Sequence, residues 1–266
     1  MEVMPHIPAG LLTPNEVCPP MHQSLPTRSP LVRKLERFTS LSEADRAALE
    51  GIGSHVENVP AHRDLVTEGD RPRGVPLLLE GMAYRYKVRA NGARQISAYL
   101  VPGDMGDLDV ALINRVDHSV GTFSPCRVAW IKPETLADIQ REHSAIARAL
   151  RIGTLVDEAT LREWLLNVGR RSSKERLAHL FSELLLRLQV VGLATENSYA
   201  LPMGQAELAD TTGMSSVHVN RSLMELRREG LIALTGRTLT ILDVPALKAL
   251  AEFKANYLHL EERGAA

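Results

Sequence analysis

Few folds accommodate the stretch Gln205–Arg228, QAELADTTGMSSVHVNRSLMELRR. It predicts two short helices broken at Thr212-Gly213-Met214. Ala206, Leu208 and Ala209 give the first helix small apolar contacts. Ser215 opens the second, because its hydroxyl can accept a hydrogen bond from an orphan N–H of the first turn. Val219, Leu223 and Leu226 then recur at spacings of four and three and mark one buried face. The other face carries Ser216, Val217, Asn220 and Arg221, three short side chains followed by one long cation. Gly230 suits the left-handed position that ends a helix. An ordinary helical hairpin fits this description too, so the flanking sequence has to decide.

Downstream, Leu231–Leu234, Thr235-Gly236-Arg237 and Thr238–Leu242 predict a two-stranded hairpin. A helix-turn-helix followed by such a hairpin is a winged helix, a layout that places its second helix in the DNA major groove. Upstream, Leu177, Leu180, Phe181, Leu184, Leu185 and Leu188 form a one-sided stripe, opened by a capping box of Ser172 with Glu175. This helix is expected to floor the motif, and Gly169–Ser173 before it reads as a hinge. Helical sequence also runs from Pro133 to Asn167. Its residues Ile146, Leu150, Gly153, Val156, Thr160 and Trp164 lie near heptad spacing. That seam either pairs with a second copy of the chain or packs against its own domain.

From Leu31 to Ile131 the pattern is different. After two short helices, the second capped by Ser42 with Asp45, come short apolar or alternating runs. They are His55–Val59, Asp64–Thr67, Val75–Glu80, Ala83–Val88, Gln95–Leu100, Ser119–Phe123 and Arg127–Ile131. Such spacing predicts an all-β sandwich or barrel, and Asn91-Gly92 predicts a tight hairpin. The first 30 residues hold seven of the chain's 15 prolines and are expected to be a flexible leader. The expected class is therefore α+β: leader 1–30, β-roll 31–134, long helix 135–169, winged helix 170–250 and a C-terminal tail 251–266.

Composition limits the function. A formal net charge of −1 over 266 residues excludes a uniformly basic nucleic-acid coat, although a local cation cluster suffices for DNA. The two cysteines, Cys18 and Cys126, offer no disulfide framework and no zinc spacing. No apolar run reaches the roughly 20 residues needed to span a bilayer, and no signal peptide is evident. A cytoplasmic location is expected. No paired carboxylates or Ser/His/Asp arrangement suggests an enzyme.

Three strings, TEGDRPRGVPLLLEGMAYRY, YLVPGDMGDL and GMSSVHVNRSLMELRREGLIALTGRTLTI, resemble the cyclic-AMP receptor protein and fumarate–nitrate regulator (Crp/Fnr) family. The resemblance covers Leu31 to the C-terminus. It implies a cyclic-nucleotide-binding-like β-roll that senses a signal, a long dimerisation helix, and a winged helix-turn-helix that binds a palindromic operator in double-stranded DNA. It also implies RNA polymerase as a partner. Arg221 matches the family's recognition-helix arginine and suits bidentate reading of guanine. Ser216 and Val217 stand where cyclic-AMP-type members carry a base-reading arginine and glutamate. The operator is therefore expected to differ, since Val217 can touch a thymine methyl but cannot accept from cytosine. Asn220 could read adenine if it points outward. Gln205, Ser215, His218 and Arg237 match positions near phosphate.

The resemblance also maps a phosphate cassette onto Gly106-Asp107-Leu108 through Asp117-His118-Ser119, giving Gly106, Asp107, His118 and Ser119 as the candidate effector pocket. Asp107 could replace the family's ribose glutamate, but His118 takes the place of the phosphate arginine and offers no fork of donors. The adjacent hydroxyls that cyclic-AMP binders place on the long helix become Val156 and Asp157. These changes argue against cyclic AMP. An iron–sulfur cluster needs about four thiolates, and haem would have to draw on the scattered His118, His143 and Cys126. No cofactor is expected. The competing expectation is a small-ligand-binding module that acts on a protein partner, and the complete winged helix disfavours it.

Overall fold

A computed structural model describes residues 28–260, apart from 54, 72, 109–111, 113 and 114. The expected leader falls almost wholly outside the described residues, as do 261–266. Pro30 does not belong to that leader. It is the first residue of helix α1 (Pro30–Glu36), where a missing N–H is no loss, and Ser29 caps it by accepting from the Val32 amide at 3.3 Å. Helix α2 (Glu43–Glu50) opens on the expected capping box of Ser42 and Asp45.

Seven strands follow: β1 (His55–Val59), β2 (Asp64–Val66), β3 (Val75–Glu80), β4 (Ala83–Val88), β5 (Arg94–Leu100), β6 (Ser119–Thr122) and β7 (Cys126–Ile131). Every end lies within one residue of expectation. The strands build two antiparallel sheets, β1-β7-β3 and β2-β6-β4-β5. In the β4–β5 turn only Gly92 takes a positive φ, 84°, while the Asn91 side chain accepts from the Ala93 amide.

The long helical segment is two helices, α3 (Pro133–Glu142) and α4 (Ser144–Arg170). They part at His143, whose φ of −122° and ψ of 86° leave the helical region. Its ring is held 2.8 Å from Asp45, the third helical residue of α2 and partner of Ser42 in its capping box, so a distant contact fixes the break. The apolar seam of α4 is buried within its own chain. Ile146, Leu150 and Val156 join the core of α1, β3 and β7, and Trp164 packs edge-on against Tyr99. The exposed apolar residues of α4 are instead Leu155, Leu161, Leu165 and Leu166.

Gly169 lies inside α4, and the non-helical joint comprises only Arg171 and Ser172. Helix α5 (Ser173–Val190) carries the expected Ser172–Glu175 capping box, but it is buried on every side from Leu177 to Leu185, His179 and Glu183 included. The reason is its position. One apolar cluster contains Met82, Tyr84, Ile96, Tyr99 and Phe123 of the roll together with α5, Leu208 and Leu223. Helix α5 is therefore a wall between two domains rather than a floor under one.

Strand β8 (Ser198–Ala200), helices α6 (Gln205–Thr212) and α7 (Ser216–Arg228), and strands β9 (Ile232–Thr235) and β10 (Thr238–Ile241) complete a winged helix with sheet order β8-β10-β9. The third strand, β8, has no counterpart in the sequence reading. The expected tail is also structured where described: helix α8 (Val244–Leu250) leads to a 3-10 turn, Ala255–Leu258, in which Tyr257 and Leu258 are buried. Among the described residues no helix is long and apolar enough to cross a membrane.

Candidate nucleic-acid interface and effector cavity

The helix-turn-helix is built by local chemistry. Gly213 ends α6 in the left-handed region at φ 66°, where a Cβ would be strained and would lie 3.3 Å from Val168 of α4. Ser215 then caps α7, accepting from the His218 amide at 3.3 Å, and its hydroxyl also lies 2.9 Å from His218 Nδ1. Val219, Leu223 and Leu226 are buried as their spacing requires.

Ser216, Val217, His218, Asn220 and Arg221 are all exposed on α7. Val217 is 75% exposed, and Met224, seven residues on, extends the same face at 55%. Met224 was not among the expected contact residues. The first turn of α7 holds no acidic residue, so its positive end is uncompensated. Among the described residues Arg221 makes no ion pair that would occupy its five donors. Gln205 sits at the start of α6 and donates from Nε2 to Asn220 Oδ1 at 3.2 Å, which joins two residues expected to act separately. Arg237 is exposed at the tip of the wing beside Gly236, whose φ is 57°.

The other side of α6 rests on the roll. Tyr99 Oη lies 2.5 Å from Thr211 Oγ1, Gln95 Nε2 donates to the Thr211 carbonyl at 3.0 Å, and Arg94 pairs with Asp210 at 2.7 Å. Arg176 of α5 donates to the Arg171 carbonyl at 2.9 Å and to the Thr212 carbonyl at 2.8 Å. No local pattern announces these contacts, whose partners stand up to 116 residues apart.

The candidate effector residues sit elsewhere, where the roll faces α4 across a cavity of about 710 Å³. Gly106, Asp107 and His118 line it, with Asp157 opposite. Ser119 does not. It is buried, and its hydroxyl accepts from the Glu68 amide at 2.9 Å. The cavity also holds Arg85 and Lys87, which lie outside the cassette, and Arg115, which lies within its span, three cations not singled out from the sequence. Arg85 is already engaged, donating to Asp157 at 3.3 Å and to the Met105 carbonyl at 3.1 Å, with Asp107 at 3.6 Å. His118 lies 2.8 Å from Asp117, whose carboxyl it holds below the usual range, and 3.8 Å from Asp107. Asp107, Asp117 and His118 could together face a cation. A phosphate in the same place would meet two carboxylates.

Comparison with known proteins agrees with this architecture. The Crp-like helix-turn-helix domain matches residues 175–250. The chain is 30% identical over 226 residues to the transcriptional activatory protein AadR of Rhodopseudomonas palustris, covering 83% of this chain and 90% of that one. It is 26% identical to the nitrogen fixation regulation protein FixK of Bradyrhizobium diazoefficiens, over 80% of this chain and 88% of that one. The fold is similar to that of FixK2 from Bradyrhizobium japonicum, with a TM-score of 0.66 at 23% identity, covering 74% of this chain and 96% of that chain. A CRP-family transcriptional regulator from Thermus thermophilus gives 0.60 at 20% identity, over 74% and 97% of the two chains. With the winged helix, the β-roll and this likeness together, the chain belongs to the Crp/Fnr family of DNA-binding transcription regulators.

Proposed function

We propose that the protein is a cytoplasmic transcription activator that binds a palindromic operator as a homodimer and does not respond to cyclic AMP. The carrying observation is the exposed face of α7, where Arg221, which makes no ion pair among the described residues, stands beside Ser216, Val217 and Asn220. In this reading α7 enters the major groove, Arg221 reads guanine, Val217 meets a thymine methyl, and Ser215, His218 and Arg237 approach phosphates. A module acting only on a protein partner would leave that face without a role.

Dimerisation is assigned to Leu155, Leu161, Leu165 and Leu166, the apolar residues of α4 that its own chain leaves exposed. Pairing there sets two α7 helices about one DNA turn apart, roughly 34 Å. Activation is inferred from the likeness to AadR, a transcriptional activatory protein, with RNA polymerase as the downstream partner by family resemblance. The argument against cyclic AMP rests on His118 and its two aspartates and on Arg85, already paired with Asp157.

The test is fluorescence titration of the wild type and Arg221→Ala on promoter fragments. Arg221→Ala should lose about 1–3 kcal/mol on the preferred site and discriminate less at one base pair. Equal, sequence-independent binding by both proteins would sink the assignment. Calorimetry with cyclic AMP should give no heat of binding, and micromolar binding would overturn the argument from His118.

A further inference from the structure

The covalent link from α4 to the reading head is a joint of two non-helical residues, Arg171 and Ser172. A rigid body held at one joint can still swing about it. The Trp164–Glu183 bond ties α4 to α5 beside the joint, and a separate attachment, to α6, comes from β5 of the roll. Tyr99 is 1% exposed and its hydroxyl meets Thr211 Oγ1 at 2.5 Å. Gln95 and Arg94 add bonds to the Thr211 carbonyl and to the Asp210 carboxylate. These polar contacts fall on α6, the helix that carries α7. Arg187 of α5 grips the same strand, donating to the Tyr99 carbonyl at 2.8 Å. Two attachments on different elements remove the rotation that a single joint would leave.

We propose that Tyr99, Arg94 and Gln95 are positioning residues for DNA recognition, which set the angle of α6 and α7 against α4 and hence the half-site spacing that the dimer accepts. The proposal rests on the homodimeric reading above. Adding one base pair between half-sites moves the second site by about 3.4 Å and turns it by about 35°, since a turn of 10–10.5 base pairs spans roughly 34–36 Å. A head fixed at two points discriminates against that displacement. A head released from β5 follows it more readily. The same strand borders the effector cavity through Ser97 and Ala98, so a shift of β5 there is carried to α6 without passing through the joint.

The experiment uses the full-length protein and duplexes with identical half-sites whose spacers differ by single base pairs. Binding is read by fluorescence anisotropy for wild type, Tyr99→Phe, Arg94→Gln, Thr211→Val and the double variant Tyr99→Phe/Thr211→Val. Tyr99→Phe keeps the ring in the core and removes only the hydroxyl. The affinity ratio between the best spacer and its neighbours should fall roughly fivefold in Tyr99→Phe, as expected for one lost hydrogen bond, and at least as far in Thr211→Val, which also loses the bond from Oγ1 to the Glu207 carbonyl. It should fall no further in the double variant than in Thr211→Val, because both substitutions break the same bond. Base preference within each half-site should stay at the wild-type value, a separation that general destabilisation would not produce. Variants that keep the wild-type spacing ratio overturn the proposal, as does an additive double variant. A wild type indifferent to spacing would instead overturn the palindromic-dimer reading on which it stands.

Discussion

The indole N–H of Trp164 donates to the Glu183 carboxylate at 2.9 Å, with both side chains buried in the wall between the long helix and the reading domain. The same oxygen accepts from Tyr257 Oη at 2.8 Å, and the other from Arg187 at 3.2 Å. Arg187 continues to Asp104 at 2.8 Å and Asp104 to Lys34 at 2.5 Å, so positive and negative groups alternate across the interior. Burial alone would raise the Asp104 carboxyl, but Lys34 and Arg187 hold it below the usual range. Burial would likewise lower Arg187, and Asp104, Glu183 and Asp157 more than reverse it. Removing one member leaves its partners buried and uncompensated. Glu183→Ala should cost about 3–5 kcal/mol in urea unfolding, and Glu183→Gln clearly less, because the amide oxygen can still accept.

His179 makes stability depend on pH. The ring is fully buried against Phe253 and Tyr257, and neither nitrogen has a hydrogen-bond partner. Burial, helped by Arg171, pushes its pKa down from 6.5 to about 3. Glu163 lies 3.3 Å from Nε2 and would favour the charged ring, but it is itself bound to Arg171 at 2.7 Å, so burial prevails. Between these values the unfolded chain binds the proton and the folded one does not. The contribution is therefore complete above pH 6.5 and is lost as pH falls toward 3, at up to about 1.4 kcal/mol per pH unit. Unfolding measured at about pH 7 and about pH 5 should show this loss, and His179→Leu should reduce the slope.

Cys126 should be chemically silent. It is 3% exposed, and burial pushes its thiol up to about 11, which leaves a thiolate fraction on the order of a thousandth at about pH 8. Iodoacetamide at that pH should label the Cys126 peptide only after denaturation, as read by mass spectrometry. Labelling of the native protein at that site would contradict the buried position.

Leu165 tests the dimer. It is 76% exposed on α4, outside the buried seam. Leu165→Glu puts a charge where two copies are proposed to meet, and light scattering should report a monomer with unchanged helicity. A dimer that persists would place the interface elsewhere.

Gln205 tests how the reading face is set. If Gln205 Nε2 orients the Asn220 amide, Gln205→Ala should relax preference only at the base pair that Asn220 reads, by about 1 kcal/mol. A phosphate contact would instead lower affinity evenly across sequences. A binding-site selection on both proteins separates the two patterns.

Local chemistry made much of the fold legible in advance. Strand limits followed from turn residues such as Gly92 and Gly81, and helix starts from the hydroxyls of Ser42, Ser172 and Ser215. The exposed side of α7 followed from the spacing of Val219, Leu223 and Leu226. What stayed hidden depends on partners far along the chain. The seam of α4 is apolar whichever surface covers it, so periodicity could not choose between a second copy and its own roll. His143 breaks a helix because Asp45, 98 residues away, holds it. Arg85 lies outside the phosphate cassette and reaches the cavity only because β4 faces α4. Tyr257 reads as part of a tail because its partner, Glu183, lies in another helix.

Gly213 gathers three of these parts at one point. A Cβ there would lie 3.3 Å from Val168 of the long helix, 3.8 Å from Gln95 of the roll and 4.0 Å from Arg176 of the wall. Sensor, spacer and reader come together at this residue. A Cβ would touch Gln95 and Arg176 at ordinary contact distance and crowd only Val168, so it is the positive φ of 66° at this meeting point that reserves the place for glycine.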